Sequence, residues 1–216
     1  MRHKKEIIKK KEIQLGEIEE IISQKGTWSS EEIIGALKDF AREVVKEVAE
    51  LREMSITHEM TGLANRRFSD FFLKREFKTV KRYGGKRRLS VILIDLDELK
   101  FINDNYSHLD GDLAITKLAN VIRSQVRGSD VACHWGGDEF LIICPGVEAK
   151  QAGELAERIR KMIKKTKIKG EKELQISAGV TNMAESDRNV DEFLHRTDKA
   201  LYQAKGEGRD RVVVRS

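Results

Sequence analysis

Apolar positions recur at helical spacing along the first quarter of the chain. Ile7, Ile8, Leu15, Ile18, Ile21 and Ile22 fall on one face, and after the break KGTWSS a second helix is expected from Ser29, with Glu32 three residues on as a capping box. Ile34, Leu37, Ala41, Val44, Val48, Leu51 and Ser55 then alternate steps of three and four. That is a coiled-coil seam of about three heptads, and Ile33, Phe40 and Val45 widen it beyond a two-stranded zipper. A helical hairpin packed on its own domain would show such a stripe, and so would a dimeric helical bundle feeding the next domain; the second is favoured. A basic N-terminus could instead touch a membrane surface, but acidic residues follow it quickly.

Beyond residue 60 the pattern alternates. A helix is expected from Arg66 to Tyr83, ending at Gly84-Gly85, and LSVILIDLD then reads as a buried strand running into two acids. A short helix near Leu99 to Asn105, a helix from Gly111 to Val126 and a hairpin of VACHW and FLIIC follow. A helix from Ala149 to Lys165, a strand LQISAGV, a helix from Val190 to Lys205 and a last strand RVVV complete the run. Strands that are partly hairpin-linked and partly helix-separated predict a mixed sheet with helices packed on it, an α+β sandwich. The expected division is a helical dimerisation or regulatory region over 1–57 and an α+β domain over 58–216.

Composition narrows this picture. The chain has 216 residues, enough for one domain of ordinary size plus an extension. Charged residues at 36% against 39% apolar describe a folded, soluble chain, and no apolar run nears the roughly 18 residues a membrane span needs. No signal peptide is visible, so a cytoplasmic location is expected. Acids and bases are interleaved, so the net charge of +5 gives little support to nucleic-acid binding. Cys133 and Cys144 sit in strand-like segments and read as small buried hydrophobes.

Candidate chemistry gathers at HWGGDEF. Asp95 and Asp97 end one apolar strand, while Asp138 and Glu139 occupy the turn of a hairpin able to pair beside it. Converging carboxylates repel unless a cation lies among them, and hard oxygen ligands suit magnesium or manganese carrying a polyphosphate. Gly136 and Gly137 let a ligand lie directly on the turn. Taken alone, G-G-D-E is more often a plain polar hairpin turn. The second acidic strand end weakens that reading.

GGDEF at Gly136 to Phe140 resembles the signature of the GGDEF-domain diguanylate cyclases, and TGLANRRF, DLDELKFINDNYSHLDGD, RGSDVACHWGGDEF, ISAGV and DKALYQAKGEGRDRV follow in the family's order. The likeness covers Thr61 to Val214 and implies a palm-like α+β fold of the nucleotidyl cyclase type. It also implies condensation of two GTP into cyclic di-GMP and two pyrophosphates across a homodimer, each 3′-hydroxyl attacking the partner's α-phosphate. On the matching positions, Asp95 and Asp138 would be catalytic metal ligands with the Leu96 carbonyl. Glu139 would assist with metal or proton handling. Asn103 and Asp112 would read guanine, Asp112 accepting from N1–H and N2–H and so favouring GTP over ATP. Lys100, Lys205 and Arg209 would bind phosphate, aided by backbone N–H groups around Glu98 and Leu99. Arg127 and Asp130, an R-x-x-D ending five residues before Gly136, would form an inhibitory site for product, the arginine gripping it bidentately. A catalytically silent module that binds GTP or cyclic di-GMP is the alternative.

Several positions depart from the family pattern. Ser107 stands where glycine is usual, Leu99 where phenylalanine is common, and Ala178 replaces a bulkier aliphatic. His58 and His134 occupy places where the family usually has Asp and Arg. If those two residues pair in the family, the histidines replace one contact together and could make the coupling of helix to domain pH-sensitive; two unrelated substitutions are the alternative.

Overall fold

LSVILIDL is apolar at six of eight positions with no polar alternation, which suits only a strand covered on both faces. In the computed structural model, which describes residues 31, 34–35, 37–42, 44–46, 56–83, 88–169 and 172–215, it is strand β2, Leu89–Leu96. Before it come β1 (Ala64–Asn65) and α1 (Arg66–Tyr83). After it come α2 (Leu99–Asn105), α3 (His108–Gln125), β3 (Val131–Gly136), β4 (Glu139–Pro145) and α4 (Ala149–Lys164). The short β5 (Lys167–Ile168) and β6 (Lys172–Glu173), then β7 (Ile176–Asn182), α5 (Val190–Gly206) and β8 (Arg211–Arg215) complete the order.

The main sheet runs β1-β3-β4-β2-β7-β8, with β5 and β6 a separate pair. β2 is antiparallel to both neighbours, β4 and β7, while β1–β3 and β7–β8 are parallel. The strand alternation sorts the core into two layers. Ile92, Ile94 and Leu96 point into a cluster with Ile115, Leu118 and Ile122 of α3 and Ala156, Ile159 and Ile163 of α4. Leu89, Val91 and Leu93 point the other way, against Leu73 and Phe77 of α1 and Phe193 and Leu201 of α5. Each such side chain contributes about 1.5–3 kcal/mol on burial. Cys133 and Cys144 are free and buried within these layers, and burial pushes both thiols up, so they remain protonated packing groups.

The chain divides into two compact units, Met1–Ser55 and Ile56–Ser216. In the first, every described residue between 31 and 46 is helical, and Ile34, Leu37 and Val45 are exposed. The expected apolar face from Ile7 to Ile22, the cap at Ser29 and Glu32, Ile33, and the end of the seam at Val48, Leu51 and Ser55 lie outside the described residues. Gly84 and Gly85 do too. Among the described residues no helix is long and apolar enough to cross a membrane.

Within the second unit α3 begins at His108, three residues before the expected Gly111, because Ser107 caps it: its hydroxyl accepts the Asp110 N–H at 3.2 Å. The family-like segment ISAGV carries a different constraint. α5 crosses β7 so closely that a Cβ on Gly179 would fall 2.4 Å from the Leu201 nitrogen and from the Thr197 carbonyl oxygen. Both obstacles are backbone and cannot rotate away. Gly179→Ala should therefore cost about 1–3 kcal/mol and lower Tm by several degrees in a thermal melt; an unchanged Tm would mean that α5 shifts freely on the sheet.

Candidate functional site

Antiparallel pairing of β2 with β4 sets the acids. Asp95 is the register partner of Glu139, and the Leu96 N–H donates to the Asp138 carbonyl at 3.1 Å. The C-terminal end of β2 thus lies beside the β3–β4 turn. Gly137 has φ 59°, the left-handed region, and carries the chain round between the strands. Asp95 is buried, and Lys205 near the end of α5 donates to its Oδ2 from 2.6 Å. Burial pushes the Asp95 carboxyl up to about 6; Lys205 opposes that rise and Asp138 adds to it. Burial also raises Glu139, with Lys205 again opposing.

These acids fit a divalent cation that arrives with its own oxygens. Among the described residues no three acidic, histidine or cysteine side chains are clustered closely enough to hold a metal ion by themselves. Magnesium, however, is commonly held by one or two carboxylates plus substrate phosphates and water. Lys205 Nζ meanwhile supplies the positive charge that the buried carboxylate demands.

The other expected residues fall around the same strand end. Glu98 is left-handed at φ 59° and caps α2, whose first N–H groups have no intrahelical acceptor. Its carboxylate pairs with Lys172 at 2.7 Å. Lys100 is exposed on the first turn of α2, and Arg209 is exposed just past α5. A Cβ on Gly111 would fall 2.0 Å from Asn103 Oδ1 and 3.3 Å from Leu99 Cδ1, so α2 and α3 touch here and Asn103 sits beside the backbone leading to exposed Asp112. Arg127 and Asp130 lie apart from these, between α3 and β3. Asp130 Oδ2 accepts the Arg127 N–H at 3.0 Å, and its own N–H returns to the Arg127 carbonyl, so the four residues close a turn and leave Arg127 exposed.

Several neighbours had no assigned role in the sequence. Arg66 lies 4.5 Å over the Trp135 ring, and both line a cleft of about 300 Å³ with Glu139, His195 and Asp198. Asp97, legible only as a second acid, is buried, accepts from Ser177 Oγ at 2.8 Å and from the Asp210 N–H at 3.1 Å, and is raised by burial.

His58 and His134 are in contact. Their Nδ1 atoms are 3.2 Å apart, and His134 Nε2 lies 2.9 Å from the Gly137 carbonyl oxygen in the signature turn. A carbonyl can only accept, so Nε2 carries a proton; in a neutral His134 the bare Nδ1 then accepts from His58 Nδ1–H. Thr61 Oγ1 is 3.4 Å from the same His58 nitrogen. One further proton on the pair preserves the contact, whereas two would set N–H against N–H. Burial, then His134, lowers the His58 pKa, and Glu59 opposes them.

Fold and acids together define a palm-like α+β domain of the nucleotidyl cyclase type. The sequence profile described as "Diguanylate cyclase, GGDEF domain" matches residues 55–211, and the chain belongs to that family. It is 33% identical over 190 residues to Diguanylate cyclase A of Treponema denticola, covering 82% of this chain and 51% of that one. It is 37% identical over 170 residues to diguanylate cyclase DgcM of Escherichia coli, covering 78% and 41%. The chain therefore spans about half the length, or less, of these relatives. The GGDEF domain of DgcB from Caulobacter crescentus, solved in complex with c-di-GMP, superposes with a TM-score of 0.68 at 28% identity, covering 73% of this chain and 94% of that one. The coiled coil and GGDEF domain of the same protein superposes at 0.76 with 25% identity, covering 86% and 99%.

Two outcomes are expected from these electrostatics. A carboxyl raised in the fold adds stability below its unfolded pKa of 3.8 and loses it as pH rises toward 6. In metal-free buffer at pH 7, Asp95→Asn should raise stability by about 1–3 kcal/mol; a lowered Tm would show that Lys205 outweighs burial. For His58 the sign is opposite: a lowered folded pKa gives stability above about 6.5 that is lost as pH falls. The wild-type Tm should drop more between pH 7.5 and 5.5 than that of His58→Gln, and equal slopes would remove the pair as a pH-sensitive contact.

Proposed function

We propose that this chain is a diguanylate cyclase that condenses two GTP into cyclic di-GMP and two pyrophosphates. The observation that carries the reading is the gathering of Asp95, Asp138 and Glu139 at one strand end with Lys205 against them. A silent module has no need to keep a carboxylate buried at this cost. Asp95, Asp138, Glu139 and the Leu96 carbonyl would hold a divalent ion, magnesium or manganese, which would neutralise charge on the triphosphate and lower the pKa of the attacking hydroxyl.

The chain's own groups do the rest. Lys100, Lys205 and Arg209 hold the phosphates, with N–H groups around Glu98 and Leu99. Lys205 Nζ, 2.6 Å from Asp95 Oδ2, lies beside the acids that would carry the ion, where it can also meet a phosphate oxygen. Asn103 and Asp112 read the guanine edge. The ribose 3′-oxygen of one GTP forms a bond to the partner's α-phosphorus as the bond to pyrophosphate breaks, and the mirror step closes the ring. Two copies must face each other for this, and the exposed Ile34, Leu37 and Val45 of the N-terminal unit suit a helical homodimer. A GTP substrate places the work in the cytoplasm. Arg127, exposed on its closed turn, suits grip of product as a feedback site, with Asp130 accepting from guanine.

Purified protein with GTP and magnesium should yield cyclic di-GMP on chromatography, and Asp138→Ala should lose product by on the order of a hundredfold or more. Arg127→Ala should keep the initial rate while removing the slowing that accumulated product causes. GTP binding without any product would replace this reading by the silent module, and unchanged inhibition in Arg127→Ala would end the feedback role.

A further inference from the structure

Two consecutive residues after α5, Arg209 at φ 62° and Asp210 at φ 46°, adopt the left-handed conformation that side-chain-bearing residues avoid. Such a turn persists only where its surroundings hold it. Here the grip comes from three elements. At the end of β2, Asp97 Oδ2 accepts the Asp210 N–H at 3.1 Å, and Ser177 of β7 fixes the other Asp97 oxygen at 2.8 Å. From α4, Arg160 donates to Asp210 Oδ1 at 2.7 Å and to the Asp210 carbonyl at 3.2 Å, and Lys164 donates to Oδ2 at 2.5 Å. The Arg209 N–H reaches the Ala204 carbonyl at 3.1 Å, and its own carbonyl accepts from Arg211 Nε at 3.1 Å.

We propose that Asp97, Asp210, Arg160 and Lys164 are positioning residues, a clamp that fixes the direction of the Arg209 guanidinium toward the substrate phosphates; this rests on the reading of Arg209 as a phosphate-binding residue. The second acid of DLD, on this account, serves the phosphate turn and not the cation. Both its oxygens are engaged at the base of that turn, whereas Asp95, two residues earlier, meets Lys205. Arg160 and Asp210 are each 18% exposed, so their pair is shielded and directional, unlike an open surface ion pair. Arg209 itself is exposed. Its reach is therefore set by its backbone, and the backbone is held by the α4 side chains that meet Asp210.

A double-mutant cycle tests the clamp. Arg160→Gln with Lys164→Gln should raise KM for GTP, and Kd for a non-hydrolysable GTP analogue, by about tenfold while kcat stays within about twofold. In an Arg209→Ala background the same pair of changes should add nothing. A further rise of equal size in that background would overturn the clamp, as would unchanged KM and Kd in the otherwise wild-type chain. If Arg209→Ala alone leaves KM and Kd unchanged, its phosphate role fails and the clamp with it, an outcome separable from additive losses. Should the double change fail to fold, Lys164→Gln alone, at a half-exposed side chain, should show a smaller rise with the same non-additivity, and additivity there counts equally against the proposal.

Discussion

A carboxylate buried at the end of a central strand demands a cation, and in this chain Lys205 Nζ supplies it to Asp95 from 2.6 Å. Much of the architecture follows from holding those two groups together. Lys205 belongs to α5, so α5 must lie low on the sheet, and it does so over Gly179, where no side chain separates helix from strand. Thr181 of β7 and Thr197 of α5 close the same contact with hydroxyls 2.6 Å apart. Asp95 belongs to β2, whose six apolar residues are clamped between two helical layers. The ion pair is thus the meeting point of two elements that the core has already fixed.

That arrangement works against stability for the sake of chemistry. Asp95, Asp97 and Glu139 are all raised by burial, which means each folded carboxylate is less comfortable than in water. A fold selected for stability alone would put apolar groups or amides there. Retaining Asp95 and Glu139 at that strand end, with Lys205 opposing the rise of both, leaves a site that gains by taking in further positive charge. The proposed metal supplies that charge, and the triphosphate supplies the oxygens that complete its shell.

Legibility in the sequence tracked local periodicity. β2 and the four long helices announced themselves by unbroken or helical apolar patterns, and their bounds fell within a few residues of expectation. β1, β5 and β6 are two residues each and too short to carry a period. Ser107 registered as a departure from glycine when it was also the cap that starts α3 early. Asp95 and Asp97 looked equivalent, being two apart on one strand. They diverge because β2 stops at Leu96: beyond it the Asp97 N–H turns to the Gln175 carbonyl and the side chain drops toward Asp210. Arg160 and Lys164, one turn apart on α4, were indistinguishable from an ordinary solvated helix face. Only the fold reveals that a left-handed turn lies against them.

The signature turn shows the same logic of restraint from outside. A Cβ on Gly137 would meet nothing within 4 Å, so the glycine is required by its left-handed φ and not by crowding. Glycine also makes a turn loose, and a loose turn would spread Asp138 over many positions. His134 counters this from within β3. Its ring stacks on Phe140 with centroids 5.0 Å apart, its Nε2 holds the Gly137 carbonyl, and His58 occupies its remaining nitrogen. His58 is in turn placed by its backbone, whose N–H donates to Leu63 and whose carbonyl accepts from Gly62, while Arg123 reaches the Thr61 carbonyl. The turn that carries the acid is therefore anchored to the first residues of the second unit through one imidazole pair. The carbonyl that His134 holds belongs to the peptide joining Gly137 to Asp138.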